Sequence, residues 1–304
     1  MWGLMSRIFW AGASALGLIA GPGWNGVAET AAPAASATPA ALVAASGAPL
    51  PIAAFAELPP IGSPKLSPDG TRFAATIAVQ GKLYLAVVTI GGKPKLVPAG
   101  DVDLNWWRWV NDEWLVVGIG EEVLVDGSPW YVSRAVGINV VTGKLQRLTR
   151  EAAGQNADDV IWTARDGSAR VMIAYQTSIF SDQRTFWPKV EEVDLATGVS
   201  KVIQASREGV FNWYADGDGV LRMGIGTSLD GRTRRLVYRP GAGAAFREVD
   251  RTRKADERLT VPALFLRDSG KALVIDDDEA GYSALYELDL ATLERGKQLF
   301  ASKG

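Results

Sequence analysis

LSPDGTRFAAT, residues Leu66 to Thr76, joins a Ser-Pro-Asp-Gly turn to a run of alternating apolar positions. Proline presets one turn dihedral, and glycine accepts the positive φ that a tight reversal often needs. The chain therefore reverses here and enters a strand. Similar turns return at Asp112 in VNDEWL, Asp166 in ARDGSA, Asp218 in DGDGVL and Asp268 in RDSGKA, spaced 43, 54, 52 and 50 residues apart. A second marker interleaves with the first. Gly92, Gly143, Gly198 and Gly243 each close a similar segment, spaced 51, 55 and 45 residues apart. In the fifth copy, DLATLERGKQL, Leu293 stands where that glycine is expected. Its DLAT (Asp289–Thr292) repeats the DLAT of Asp194–Thr197.

Each unit has the same internal order. The turn leads to an apolar strand such as RFAATIAV or ALVIDDD. A second strand ends in a reversal, as in AVGINVVTG and VEEVDLATG, and a short third strand follows, as in LQRLT and KVIQA. A further strand candidate precedes each turn, as in NWWRWV, VIWTA, FNWYA and PALFL. That makes about four strands in about 50 residues, with no competing 3.6-residue amphipathic pattern. Four-stranded units at this period predict an all-β chain, a β-propeller of about five visible blades. A sandwich fits less well, because two packed sheets do not require a sustained period. The blades are expected near 63–100, 101–150, 158–205, 209–250 and 258–304, within a propeller over 53–304. Counted from its turn, the fifth unit ends after its third strand.

The 304 residues are 47% hydrophobic and 22% charged, with net charge −2, which is ordinary for a chain with a core. The near-neutral balance offers no basic surface for nucleic acid. The chain has no Cys and no His. That excludes disulfides, zinc or haem sites built on those ligands, and any Ser-His-Asp or Cys-His set within this chain. No cofactor is expected.

Residues 1–28 read as a secretory signal: one Arg in MWGLMSR, then the 13-residue apolar run Ile8–Ala20, then small residues around Asn25–Ala28. The run is short for a membrane span, which needs about 20 residues. An uncleaved anchor is the rival reading, and would be the only membrane contact. Residues 29–52 are rich in Ala and Pro and form an expected flexible leader. A periplasmic or secreted location follows.

Eleven Trp occur, with Trp106, Trp107, Trp109 and Trp114 crowded together. Trp162 and Trp213 fill the same slot in later units, just before the turn. Recurrence with the repeat predicts packing between neighbouring blades rather than a platform for sugar or peptide.

SPKLSPDGTRFAAT resembles the first-blade signature of Tol-B-like propellers, and also that of the N-terminal propeller of bacterial serine peptidases of the prolyl oligopeptidase family, of the dipeptidyl-peptidase and acylaminoacyl-peptidase types. Ala54–Ala75 together with Trp107–Gly120 (WRWVNDEWLVVGIG) look like the exported members of that family. The resemblance covers about Phe55 to the end. It implies a seven- or eight-bladed propeller capping a C-terminal α/β-hydrolase domain. This chain departs from that pattern. It holds no Gly-x-Ser-x-Gly elbow; Ser228, in GTSLD, has Asp230 where the second glycine belongs. It has no Ser-x-x-Lys either. No catalytic residue carries over. The expectation is an incomplete, open ring from a truncated or split peptidase, with a hydrolase domain encoded downstream as partner and peptides as the parent's substrates.

In dipeptidyl peptidases a glutamate pair of the propeller binds the substrate's free amino terminus. The resemblance therefore nominates Glu121 and Glu122 in GIGEEVLVDG, and Glu191 and Glu192 in PKVEEVDL. Two carboxylates near an α-amino group make charge-assisted hydrogen bonds. The bland alternative is solvated edge or loop charge; adjacent strand residues also point to opposite faces. Asp276–Glu279 (DDDE) and Asp216–Gly219 (DGDG) fit no calcium-loop spacing and read as exposed hairpin turns. The basic stretches Arg232–Arg239 and Arg247–Lys254 read as a solvated face.

Two functions compete. One is the noncatalytic propeller of a peptidase, gating peptide access to the hydrolase domain. The other is a standalone exported propeller that binds a protein or glycan partner. No metal site is expected.

Overall fold

A computed structural model describes residues 61–79, 82–97, 102–149, 154–252, 259–266 and 270–301. The expected signal and leader lie outside the described residues. Among the described residues, twenty strands form five four-stranded antiparallel sheets. The first holds β1 (Ile61–Leu66), β2 (Arg72–Val79), β3 (Lys82–Thr89) and β4 (Pro94–Val97). The second holds β5 (Asp103–Trp109), β6 (Trp114–Val125), β7 (Ser128–Asn139) and β8 (Leu145–Arg147). The third holds β9 (Asp159–Thr163), β10 (Arg170–Tyr175), β11 (Lys189–Asp194) and β12 (Ser200–Gln204). The fourth holds β13 (Val210–Ala215), β14 (Leu221–Thr227), β15 (Arg234–Tyr238) and β16 (Arg247–Thr252). The fifth holds β17 (Leu264–Phe265), β18 (Lys271–Asp277), β19 (Ser283–Asp289) and β20 (Arg295–Ala301).

Every sheet is a meander in chain order. The repeating unit starts with the strand before the aspartate turn. The fifth sheet is therefore four-stranded; counting from the turn had left it one strand short. The one helical segment among the described residues is a 3-10 turn, Arg184–Phe186. No helix there is long and apolar enough to cross a membrane.

The turns behave as their residues dictate. Gly70, Gly167 and Gly219 follow an aspartate and sit at φ of 70°, 84° and 80°. At the second turn the glycine is missing, and Asn111 replaces the mechanism: its Oδ1 accepts the backbone N–H of Glu113 and Trp114 at 3.0 and 2.8 Å.

The chain divides into two compact units. One is the first sheet without its Ser67–Gly70 turn, and the other holds that turn and the remaining four sheets. In the first unit, Ala74, Ala75, Leu85 and Ala86 form the buried centre. In the second unit the cores lie between consecutive sheets. Trp114, Val116, Ala135 and Leu148 of the second sheet's segment pack on Val160, Val171, Ile173 and Val193 of the third. Met172, Ala174 and Val190 on the third sheet's other face pack on Val210, Trp213 and Val237 of the fourth. Met223, Leu236 and Tyr238 then meet Ala272, Val274, Ala284 and Leu288 of the fifth. Alternation puts successive side chains on opposite faces, so the third and fourth sheets each serve two cores.

The tryptophans pack between sheets, as their recurrence predicts. Trp162 reaches from β9 to donate to the Gly217 carbonyl at 3.2 Å, and Trp213 reaches from β13 to the Pro188 carbonyl at 3.1 Å. Both rings are buried.

The β6–β7 hairpin outgrows its sheet. β5 pairs with β6 only as far as Gly120, and β8 pairs with β7 only between Val136 and Ile138. Residues 121–132 therefore continue as a two-stranded arm. Its tip, Asp126-Gly127, holds φ of 49° and 79°, the signs of a type I′ turn.

Candidate functional site

One cluster of polar groups gathers around the first strands of three consecutive sheets, β5, β9 and β13. On β5, Trp106 lies flat against Gly118 of β6, its register partner; a Cβ on Gly118 would collide with the indole. The indole N–H donates to Asp158 Oδ2 at 2.9 Å, and Ser133 Oγ donates to Asp158 Oδ1 at 2.5 Å. Asp158 thus ties the second sheet to the segment entering β9. Arg134 closes the same corner, donating to the carbonyls of Ser133 and Gly154 at 2.6 and 3.0 Å. Burial lowers the Arg134 pKa, and Arg147 lowers it further.

Beside this tie runs a row of charge. Arg108 stands over the Trp106 ring at 5.0 Å. Asp159, at the start of β9, has its carboxyl pushed up to about 6, first by desolvation and then by Asp158, with Arg108 opposing. Arg108 is lowered by desolvation, with Asp159 opposing. Tyr214 on β13 is raised by desolvation and then by Asp159. Asp159 and Arg108 are both exposed to solvent.

Chemically, the row can attract or repel a charged ligand, and the charge of Asp159 changes near pH 6. Ser133 is buried and donates its proton to a carboxylate, so it does not present a nucleophile. No sequence motif marks Arg108, Asp158, Asp159 or Tyr214. The available signal was the Asp158-Asp159 pair at the entry of a strand that opens a repeat.

The nominated glutamates lie on two different sheets. Glu121 and Glu122 sit within β6, where the arm begins; Glu121 is half-buried and Glu122 exposed. Glu121 lies diagonally from Arg134 across the β6–β7 register and favours its charged form. Glu191 and Glu192 are consecutive on β11 and take opposite faces. Glu191 is buried and pairs with Lys189 at 2.9 Å. Lys189 Nζ also lies 4.9 Å from the Tyr175 ring centre. Glu192 pairs with Arg170 at 3.4 Å.

The other acidic runs are turn chemistry. Asp216 is buried; its carboxylate accepts from the Asp218 and Val220 N–H groups and pairs with Arg222 at 2.7 Å. Asp278 accepts the N–H groups of Ala280 and Tyr282, and Asp276 pairs with Arg295 at 3.0 Å. The basic stretches are not simply a solvated face. Arg239 is buried against Phe246 at 4.7 Å and donates to the Leu221 carbonyl at 2.6 Å. There the ring and the carbonyl replace water.

The solved structures that this chain resembles show what the stacked sheets are. It matches an oligogalacturonate lyase in complex with manganese at 13% identity and TM-score 0.50, over 79% of this chain and 65% of that one. It matches oligopeptidase B from Leishmania major at 12% identity and TM-score 0.50, over 80% of this chain and 34% of that one. TolB from Acinetobacter baumannii matches at 15% identity and TM-score 0.32, over 78% of this chain and 53% of that one. The fold is a β-propeller fold. The neighbours are propellers of the peptidase and Tol-B-like kinds, and the likeness is one of fold alone. This chain spans less than two thirds of the lyase and about a third of oligopeptidase B. No protein-family model and no curated protein sequence matches it.

Proposed function

We propose that this chain is the noncatalytic propeller of an exported prolyl oligopeptidase-type peptidase, limiting which peptides reach a hydrolase domain held elsewhere. The observation that carries this is the outer face of the fifth sheet, which no described sheet covers. The sheet's inner face packs on the fourth sheet. On the outer face Ile275, Leu285 and Phe300 are register neighbours, and Ile275 and Phe300 are 63% and 66% exposed. The third and fourth sheets have both faces covered. A further sheet laid on the fifth would cover this apolar row, as the open-ring expectation requires. The want of His in all 304 residues supports a noncatalytic part.

Within this proposal, Glu122 is the nominated carboxylate best placed to meet a free amino terminus, because it faces solvent on the arm. Glu191 and Glu192 already hold Lys189 and Arg170. The apolar start supports export, with a cleaved signal or an uncleaved anchor as the two forms.

The test is direct. The genomic frame beyond Gly304, or an adjacent frame, should encode a Gly-x-Ser-x-Gly elbow. A fluorophosphonate probe should label that product and leave this chain unlabelled. Stoichiometric labelling of a serine in this chain overturns the proposal, as does a genome with no hydrolase frame nearby.

One observation favours the second reading, a standalone propeller that binds a protein or glycan. The β6–β7 arm presents Leu124, 70% exposed, together with exposed Pro129 and Tyr131. An authentic stop codon with no hydrolase frame supports it.

A further inference from the structure

We propose that a pocket beside the β14–β15 loop binds a small ligand through a carboxylate held by Arg235, with Arg251 beside it. This is independent of the peptidase reading. The cavity measures about 350 Å³, at the lower end of small-molecule sites. Arg235, Arg251, Ser228, Thr233, Gly209 and Trp187 line it, together with Glu208 and Leu229.

Its two arginines are direct register partners on β15 and β16. Like charges facing each other across a sheet repel, so the arrangement needs compensation. Arg251 has it: its guanidinium grips both oxygens of Glu248 at 2.6 and 2.9 Å. The Glu248 carboxyl is accordingly held below its ordinary range, chiefly by that grip. Arg235 instead donates from Nη2 to a backbone carbonyl, that of Glu208, at 2.7 Å. A carbonyl orients a guanidinium without cancelling its charge. The Arg235 guanidinium therefore keeps its charge at the pocket wall, with the Glu208 carboxylate in the same lining.

That arginine is held in a built position. Gly209 stands at φ +74°, and a Cβ there would collide with Arg235 Nη2. A Cβ on Gly226 would in turn collide with the Gly209 carbonyl. The bare backbone of Gly209 thus leaves room for the Nη2 end of the guanidinium, and Gly226 leaves room for the Gly209 carbonyl. A planar fork of this kind suits a carboxylate in bidentate contact. An acidic side chain in the same lining disfavours a dianion such as phosphate more than a monoanion. The Trp187 and Leu229 walls leave room for an apolar or sugar-like body.

The carboxylate could end a peptide or belong to a sugar acid, and the test separates them. The full chain is titrated calorimetrically with N-acetyl-alanine and with glucuronate. N-acetyl-alanine amide and glucose are the uncharged controls. At least one acid should bind, its neutral counterpart should not, and the affinity should fall as salt rises. Arg235→Gln should weaken binding roughly tenfold or more, because a charge-assisted hydrogen bond is lost. Arg251→Gln leaves the Arg235–Glu208 contact intact but uncovers the Glu248 carboxylate beside the site, so it should also weaken binding and provides a second reading should the first variant fold poorly. Binding should also slow hydrogen exchange over residues 228–235. Failure of both acids to bind the folded chain overturns the proposal. So does equal binding of the neutral controls, or full affinity in either folded variant.

Discussion

Leu293 occupies, at φ +60°, the turn position that Gly198 occupies at φ +74° two sheets earlier. The two turns share their hydrogen bonds. The Leu293 N–H donates to the Asp289 carbonyl at 2.8 Å, and the Gly198 N–H donates to the Asp194 carbonyl at 2.7 Å. In both, the aspartate side chain accepts the N–H of the threonine before the left-handed residue. The fifth repeat therefore keeps the geometry that glycine serves in the third, with a side chain that disfavours it.

A left-handed non-glycine residue costs about 1–2 kcal/mol. Leu293 offsets this by packing against the core between the fourth and fifth sheets. Removing the side chain separates the two effects. Leu293→Ala should destabilise the chain, losing packing while keeping the strain. Leu293→Gly should be about 1 kcal/mol more stable than Leu293→Ala, the reverse of the usual order. Urea unfolding of both variants decides it; an alanine variant at least as stable as the glycine variant refutes the strain.

Glu191 and Lys189 form an ion pair with side chains only 10% and 15% exposed. Breaking such a pair from one side costs about 3 kcal/mol, whereas replacing both partners by apolar groups is often near neutral. Glu191→Ala should therefore be much less stable than the double variant Lys189→Met/Glu191→Leu. Equal midpoints in chemical denaturation would show that the pair contributes little.

Gly226 and Gly231 test two different demands for glycine. Gly231 stands at φ +71° in open space, so Gly231→Ala meets only backbone strain, about 1 kcal/mol. Gly226→Ala forces a methyl into the Gly209 carbonyl and should cost about 3 kcal/mol. Thermal unfolding of the two variants should rank them in that order, and a Gly226→Ala protein that melts with the parent would show the backbones free to part.

Asp159 predicts a pH effect whose sign can be worked out. Its folded pKa, about 6, lies above the ordinary 3.8, so the folded chain holds the proton more tightly. Stability from this group is present at low pH and declines as pH rises from about 4 to 6. Asp159→Asn removes the titration. The stability of the parent relative to this variant should fall across that window, measured by denaturant unfolding at several pH values. A rise, or a flat difference, would contradict the shift.

The five-fold repeat was legible because its signals are local. A Pro-Asp-Gly turn, a glycine closing a hairpin and a run of alternating apolar residues each act within a few residues. The site was less legible. Asp158 binds Trp106, 52 residues away, and Ser133, 25 away, and no spacing rule anticipates either. The glutamates nominated by resemblance turned out to include one carboxylate buried on an ion pair and one exposed on an arm. Burial is a property of neighbouring sheets, and a strand's own sequence shows only which faces alternate.

By itself, then, the sequence determined the all-β repeat, the turn geometry at most of its corners, and a chemistry without histidine or cysteine. Tertiary structure alone decided which charges are desolvated, which aspartate rises towards neutrality, and which two arginines share a pocket. Turn dihedrals and side-chain alternation depend on steric effects between adjacent residues. Desolvation and electrostatic coupling depend on protein atoms brought together from separate repeats, and they exist only once the sheets have packed.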